Sequence, residues 1–432
     1  MTVPVRETMR RGWCPGTLRP MQTGDGLLVR LHPPRNALTP GQLADIAGLA
    51  GRYGNGQVEI SSRGKLQLRG IRAEAHPALV DELLAAGLVD EAGGDGPNKL
   101  VLASPLAGRA ADELVDAAVL AEAVEQAGRA IAGLPAKVSI AVDGGGALAL
   151  DGFAVDLRLR AISAEAVGFS LPGGRWLGPV ALAEAPGRAA RLLGGFAAIC
   201  RRSELVRRMR DLEPDALAAL ADACGLPALA APALRVRPEP VGLVRERDGC
   251  VALLVSLPFG RTDAEGLGRI ADLADTAGTD EIRLSPWRGF AFCGLSAGAA
   301  DALRDALRGA GLITKAGDPR LAVAACSGAP ACARGEVPAL ADAAPLTGAL
   351  AALLSDGLSL HVSGCVKSCA RPGSADLTLV GREGRYEVIL GGDTRAAATA
   401  SLSLPDLVRR LEPGQDIRAR LEAARHHQQV ER

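Results

Sequence analysis

The sequence predicts an α+β fold that is internally duplicated, with two ferredoxin-like half-domains each leading into a larger α/β lobe. Three observations carry this. The order strand, helix, strand, strand, helix occurs once near the start and again about half a chain later. A shift of 224 positions then lays Ile60 on Leu284, Ser61 on Ser285, Leu68 on Phe292, Gly70 on Gly294 and Gly87-Leu88 on Gly311-Leu312. Finally, a Pro-rich run over 227–240 reads as the link between the copies. With further breaks at 93–96 and 317–319, the expected units are 1–95, 96–238, 239–318 and 319–432.

In chain order, Gly26-Leu-Leu-Val-Arg-Leu31 reads as a strand. The next segment opens with Thr39-Pro40, a helix-starting pair, and places Leu43, Ile46, Leu49 and Ala50 on one face. A turn at Gly54-Asn-Gly56 leads to two short strands, Gln57-Val-Glu-Ile-Ser61 and Lys65-Leu-Gln-Leu-Arg69, and 77–88 supplies another helix. The second copy repeats this with a strand at 250–256, a helix at 264–277 and a strand pair at 281–285 and 289–293. The same shift lays Lys137-Val-Ser139 on His361-Val-Ser363.

Composition narrows the function. At 432 residues the chain is long enough for two or three domains with substantial cores. The 49 basic and 49 acidic residues cancel, which argues against bulk attraction to nucleic acid or anionic lipid. Aromatics at 3% leave no base-stacking platform. The first residues lack an apolar signal core and no apolar run reaches membrane length, so a reducing cytoplasm is the expected location. No nucleic-acid or membrane partner is expected.

Four of the nine cysteines fall in two tight pairs, Cys326-Ser-Gly-Ala-Pro-Ala-Cys332 and Cys365-Val-Lys-Ser-Cys369. Both pairs lie among Gly, Pro, Ser and Ala, as sulfur ligands on short turns do. Four thiolates gathered in one place repel one another and need a cation or an iron-sulfur core to offset their charge. A four-iron core suits two separated pairs, because each iron takes one thiolate. Structural zinc prefers tighter hairpins, and unrelated or disulfide-bonded cysteines are the remaining alternatives. The pairs occur only in the second copy; Ser104-Pro-Leu-Ala107 stands near the place of Cys326 in the first.

The second informative stretch is Ser61-Ser-Arg-Gly-Lys-Leu-Gln-Leu-Arg69. Period-two alternation turns Arg63, Lys65, Gln67 and Arg69 one way and Leu66 and Leu68 the other, giving an anion-binding row. A solvated edge strand is the bland alternative. Arg19, Lys137, Arg288 and Arg371 are further candidates for anion contacts. His361 and Lys367, which flank the second pair, are the candidates for catalytic work. Gly144-Gly-Gly146 fails the dinucleotide-binding pattern, and no phosphate-binding Gly-Lys-Ser/Thr loop occurs. With no recognisable nicotinamide or flavin site, electrons are expected from a separate donor protein.

At these residues the chain resembles the sulfite/nitrite reductase superfamily, whose cluster ligands have the Cys-x5-Cys and Cys-x3-Cys spacing seen here. Within it the chain is most similar to the precorrin-3B synthases, through Arg11-Gly-Trp-Cys-Pro-Gly16, the stretch from Pro20 to Arg30, the basic stretch, and the run from His361 to Gly373. The resemblance covers about residues 10 to 400 and implies the sulfite/nitrite reductase-like fold. It also implies a 4Fe-4S cluster on Cys326, Cys332, Cys365 and Cys369. The implied reaction is oxygen-dependent hydroxylation of precorrin-3A at C20 with γ-lactone formation, NADH being the indirect electron source. A mononuclear non-haem iron would be an additional cofactor. Two alternatives stand: a sulfite or nitrite reductase with sirohaem in the same cavity, and a metal-stabilised protein without activity. The sequence Cys-Val-Lys-Ser-Cys departs from the Cys-Pro-Asn-Ser-Cys common in nitrite reductases.

Overall fold

A helix starts at Pro40 because Thr39 caps it: the Thr39 hydroxyl accepts from the Gln42 N–H at 3.1 Å, and the Gln42 amide oxygen accepts from the Thr39 N–H at 3.0 Å. The computed structural model describes residues 13–92, 95–203 and 205–430, the last five by backbone alone. Arg11 and Gly12 of the N-terminal motif, and Gly93 and Gly94 of the first expected boundary, lie outside the described residues.

The first half comprises β1 (Met21–Thr23), β2 (Gly26–Leu31), β3 (Ala37–Leu38), α1 (Pro40–Tyr53), β4 (Gln57–Ile60), β5 (Leu66–Ile71) and α2 (His76–Ala85). The first lobe has β6 (Val101–Ala103), α3 (Ala117–Arg129), β7 (Ile140–Asp143), β8 (Leu157–Ala161), β9 (Ala166–Leu171), β10 (Arg175–Ala181) and α4 (Ala185–Arg202). The second half repeats the first with β11 (Gly242–Arg245), β12 (Val251–Ser256), β13 (Arg261–Asp263), α5 (Ala264–Thr276), β14 (Glu281–Ser285), β15 (Gly289–Leu295) and α6 (Ala297–Gly309). The second lobe contains β16 (Val323–Ala325), α7 (Ala339–Ala349), β17 (Leu360–Ser363), β18 (Ala375–Arg382), β19 (Arg385–Gly392) and β20 (Ala400–Leu402).

The duplication extends to backbone detail. Arg35 and Phe259, 224 positions apart, have φ of 54° and 56°, and Gly64 and Arg288 have 63° and 62°. Asp263 caps α5 where Thr39 caps α1. The halves also exchange strands: the sheet β1-β2-β5-β4 is completed by β13, and β11-β12-β15-β14 by β3. The halves consequently share one apolar core, in which Leu43 and Ile46 of α1 and Leu267 and Ile270 of α5 are all buried. Burying such side chains contributes roughly 1.5–3 kcal/mol each, so neither half keeps its core without the other.

Each lobe is a five-stranded sheet whose first three strands run parallel and whose last two turn back antiparallel. Equivalent registers correct one alignment. Val101 faces Ile140 across β6 and β7, and Val323 faces Leu360 across β16 and β17. The position of His361 is therefore filled in the first lobe by Ala141, not Lys137. The shared Val-Ser pair is a chance match, and Lys137 lies exposed before β7 begins.

Candidate functional site

Parallel strands deliver their following loops to the same edge of a sheet, which is where ligands of α/β folds collect. Cys326 follows β16 and Cys365 follows β17. The two cysteine loops meet through glycines. A Cβ on Gly364 would stand 2.9 Å from the Gly328 Cα and 3.5 Å from the Cys326 Sγ, and a Cβ on Gly335 would stand 2.5 Å from the Ala329 N. Gly328 itself has a φ of +64°, a conformation that side chains disfavour. The Gly364 N–H donates to the Cys326 Sγ at 3.0 Å, the Cys332 N–H to the Gly328 carbonyl at 2.8 Å, and the Glu336 N–H to the Gly364 carbonyl at 2.9 Å.

All four thiols line one cavity of about 380 Å³, within the size range of ligand sites. Burial raises the Cys326 pKa; N–H groups of Gly364 and Gly328 oppose this, while Cys365 and Cys332 add to it. Although part of Cys369 reaches solvent, its thiol is pushed up to about 11, chiefly by burial, against the pull of Lys367 and with added repulsion from the other three thiols. The four sulfurs are thus within electrostatic reach of one another, and a bound cationic core would relieve the cost of ionising them. Among the described residues, no three His, Cys, Asp or Glu side chains converge tightly enough to hold a single metal ion.

The opposite wall comes from the first half. Gln67 and Arg69 alternate with the core-facing Leu66 and Leu68 on β5. Arg69 is 4% exposed and fully engaged: its guanidinium donates to both Asp25 oxygens at 3.0 and 2.9 Å and to the Ala331 carbonyl at 2.9 Å, and lies 3.4 Å from Glu59. The β1–β2 turn also touches the first cysteine loop, with the Gly24 N–H donating to the Ala331 carbonyl at 3.2 Å. Gln67 accepts from Arg30 at 2.7 and 3.0 Å and donates to Glu59 at 2.8 Å. Arg261, the first residue of the exchanged β13, contacts both Glu59 and the hydroxyl of Ser327, the residue beside Cys326. Arg288 donates to the Ala370 carbonyl at 2.6 Å, beside Cys369.

Of the expected site residues, the structure brings Gln67, Arg69, Arg288, Lys367 and the four cysteines to this cavity. The expected row of cations is shorter than alternation implies. Gly64 adopts a left-handed turn and the Ser61 N–H bonds to the Lys65 carbonyl, so the strand begins only at Leu66. Arg63 instead donates to the Ala154 carbonyl at 2.6 Å, and Lys65 approaches Asn36 at 3.5 Å. Burial, reinforced by Lys99, Arg30 and Arg63 against Glu125, holds Lys65 down at about 7. Arg19 stacks on Trp13 and pairs with Asp95 at 3.3 Å, beside a separate cavity of about 200 Å³ containing Cys14. Arg371 donates to the Ser374 carbonyl at 2.8 Å, off the wall. Lys137 is not on it either. His361 is fully buried, and neither ring nitrogen has a hydrogen-bond partner; burial, then Arg371 and Arg288, lower its pKa to about 4.

Sequence reasoning missed Arg30, Glu59, Arg261 and Arg334 on the wall. Arg30 was findable, since it pairs with Gln67 across β2 and β5. Arg261 reaches the site only through strand exchange, which no local pattern announces.

The duplicated counterpart of the cavity is filled. Leu28, Arg30, Gln67 and Arg69 correspond to Ala252, Leu254, Ala291 and Cys293, which form an apolar cluster with Leu106 and Ala110 of the first lobe. The cations of one wall are replaced by hydrocarbon and a buried thiol in the other.

Comparison with known proteins agrees with this duplication. The model of the nitrite/sulfite reductase ferredoxin-like half domain matches twice, at residues 19–86 and 244–310. The chain is 31% identical to a precorrin-3B synthase of Sinorhizobium, over 91% of this chain and 85% of that one. It is 26% identical to the ferredoxin–nitrite reductase of Synechococcus elongatus, over 91% and 86%. The structure of the Mycobacterium tuberculosis NirA protein superposes with a TM-score of 0.69 at 22% identity, covering 89% of this chain and 79% of that one, a likeness of fold.

Proposed function

The chain belongs to the nitrite/sulfite reductase superfamily, on its precorrin-3B synthase branch, and from that premise we propose that it hydroxylates precorrin-3A at C20 with dioxygen, closing the γ-lactone of precorrin-3B. One observation carries the reading: the paired thiols and a wall of cations line the same cavity. Among the described lining residues the cations Arg30, Arg69, Arg261, Arg288, Arg334 and Lys367 face a single carboxylate, Glu59, so a polyanionic ligand suits the space.

In this reading Cys326, Cys332, Cys365 and Cys369 hold a four-iron cluster, for which the glycine contacts and the mutually repelling thiols provide the fit. When bound, the cluster supplies single electrons. Substrate, dioxygen, two electrons and two protons give product and water, with NADH as the ultimate donor through a separate protein. Arg261, Arg288 and Lys367 bind and orient the substrate carboxylates. Arg69 is a positioning residue, tying the cation wall to the loop of Cys332. Lys367, between the second pair of cysteines, holds the negative charge that gathers as oxygen is reduced. His361 stays neutral in the buried strand that leads to the second pair. Arg19, Arg63, Lys65, Lys137 and Arg371 are not among the residues that line this cavity.

The test is product analysis after anaerobic loading with precorrin-3A and addition of isotopically heavy dioxygen. One heavy oxygen atom in the product is expected. Unchanged precorrin-3A, or turnover of nitrite or sulfite by a protein carrying sirohaem, contradicts the reading.

A further inference from the structure

The carboxylate of Glu59 stands where a ligand's carboxylate belongs. Its side chain is 14% exposed and it is the single acid among the described lining residues of a cavity otherwise rich in cations. It contacts Arg261, whose side chain is 13% exposed, accepts from Gln67 at 2.8 Å and from Ser327 at 3.2 Å, and lies 3.4 Å from Arg69. Arg69 has Asp25 as a second partner, whereas among the described residues Glu59 is the one carboxylate in ion-pair contact with Arg261. Arg261 also faces the cavity and touches the residue beside Cys326.

We propose that Glu59 is a built-in counter-ion that determines specificity: it occupies Arg261 in the empty cavity and yields that guanidinium to an incoming carboxylate. This deepens the polycarboxylate reading above and rests on it. The physical reason is that a buried guanidinium without an anion is costly, so the empty site needs an internal partner. The partner must also be displaceable, or the cavity could never load. Glu59 meets both conditions, because Gln67 and Arg69 still hold it after Arg261 has turned to the ligand. A small anion gains little from such an exchange of one carboxylate for another. A large ligand whose other carboxylates reach distant cations of the wall makes the exchange favourable, so the device admits tetrapyrrole-sized polycarboxylates and rejects small anions, citrate included.

The test compares the wild type with Glu59→Gln in binding citrate and uroporphyrin, a tetrapyrrole with eight carboxylates, by calorimetry at low ionic strength. The wild type is expected to bind uroporphyrin and to bind citrate weakly. Glu59→Gln is expected to bind citrate at least tenfold more tightly, and the gain is expected to vanish in the double variant Glu59→Gln/Arg261→Gln. Citrate binding that is unchanged or weakened in Glu59→Gln overturns the proposal, because a merely structural role predicts a loosened wall and lower affinity. Where Glu59→Gln does not fold, Glu59→Asp draws the charge back from Arg261, and tighter citrate binding supports the proposal while equal or weaker binding overturns it. A wild type that fails to bind uroporphyrin overturns the polycarboxylate reading itself, an outcome distinct from failure of the Glu59 comparison. Neither arm depends on the presence of iron.

Discussion

Replacing Arg69 by Ala should damage folding before it damages ligand binding, the reverse of what a free anion-binding arginine would do. The guanidinium is 4% exposed, and its removal strips Asp25 of two hydrogen bonds, Glu59 of a nearby cation and the Ala331 carbonyl of its donor. Asp25 and Glu59 have side chains 16% and 14% exposed, so water replaces the lost partner poorly. Breaking a buried pair from one side costs about 3–5 kcal/mol, a large share of a typical stability of about 5–15 kcal/mol. The acid limb of the stability profile gives a second readout. Burial of Asp25 raises its pKa, but hydrogen bonds from Thr23 and Arg69, and the charge of Arg69, outweigh this and leave it depressed. A depressed carboxyl contributes stability above its unfolded pKa, near 4, and loses it as pH falls through the lower folded value. Urea unfolding of wild type and Arg69→Ala between pH 2 and 7 should show a gap that is widest at neutral pH and narrows in acid. A variant of wild-type stability with weakened polycarboxylate binding would instead make Arg69 a free ligand contact.

The same geometry fixes three further outcomes. Cys326→Ser should abolish iron and acid-labile sulfide incorporation, measured by metal and sulfide analysis; a full four-iron complement in that variant contradicts the ligand assignment. Gly328→Ala should cost at least about 1–2 kcal/mol for the left-handed backbone alone, and more because its Cβ would lie 2.4 Å from the Ala339 N, whereas Gly348→Ala, with open space around it, should be neutral or stabilising in thermal unfolding. His361, at about 4 when folded and near 6.5 when unfolded, penalises folding as pH falls from about 6.5 to about 4, by on the order of 3 kcal/mol. His361→Gln should flatten that part of the profile, while His32, also held at about 4, keeps its own slope; an unchanged profile contradicts a buried neutral imidazole.

Much of the fold was legible because duplication repeats backbone requirements as well as hydrophobic periodicity. Gly70 and Gly294 share left-handed backbone, and Thr39 and Asp263 each cap a helix, so the same local rules applied twice. Strand exchange was not legible. β3 and β13 are only two and three residues long and pair with the other copy, so their partners are fixed by the shared core rather than by local pattern. The cysteine pairs were legible from spacing alone. The cation row was half legible: alternation holds for Gln67 and Arg69, whereas the Gly64 turn sends Arg63 and Lys65 elsewhere. Tertiary context also decided the fate of Arg69, since nothing in a basic strand reveals that Asp25 waits opposite.

The central claim is that the thiol loops and the cation wall serve one bound polycarboxylate beside one iron-sulfur core. The most direct measurement is the paramagnetic resonance spectrum of the anaerobically purified, reduced protein, recorded with and without saturating precorrin-3A. A four-iron signal whose shape or relaxation changes when precorrin-3A binds is the expected result. A spectrum without that signal, or one that saturating precorrin-3A leaves untouched, contradicts it.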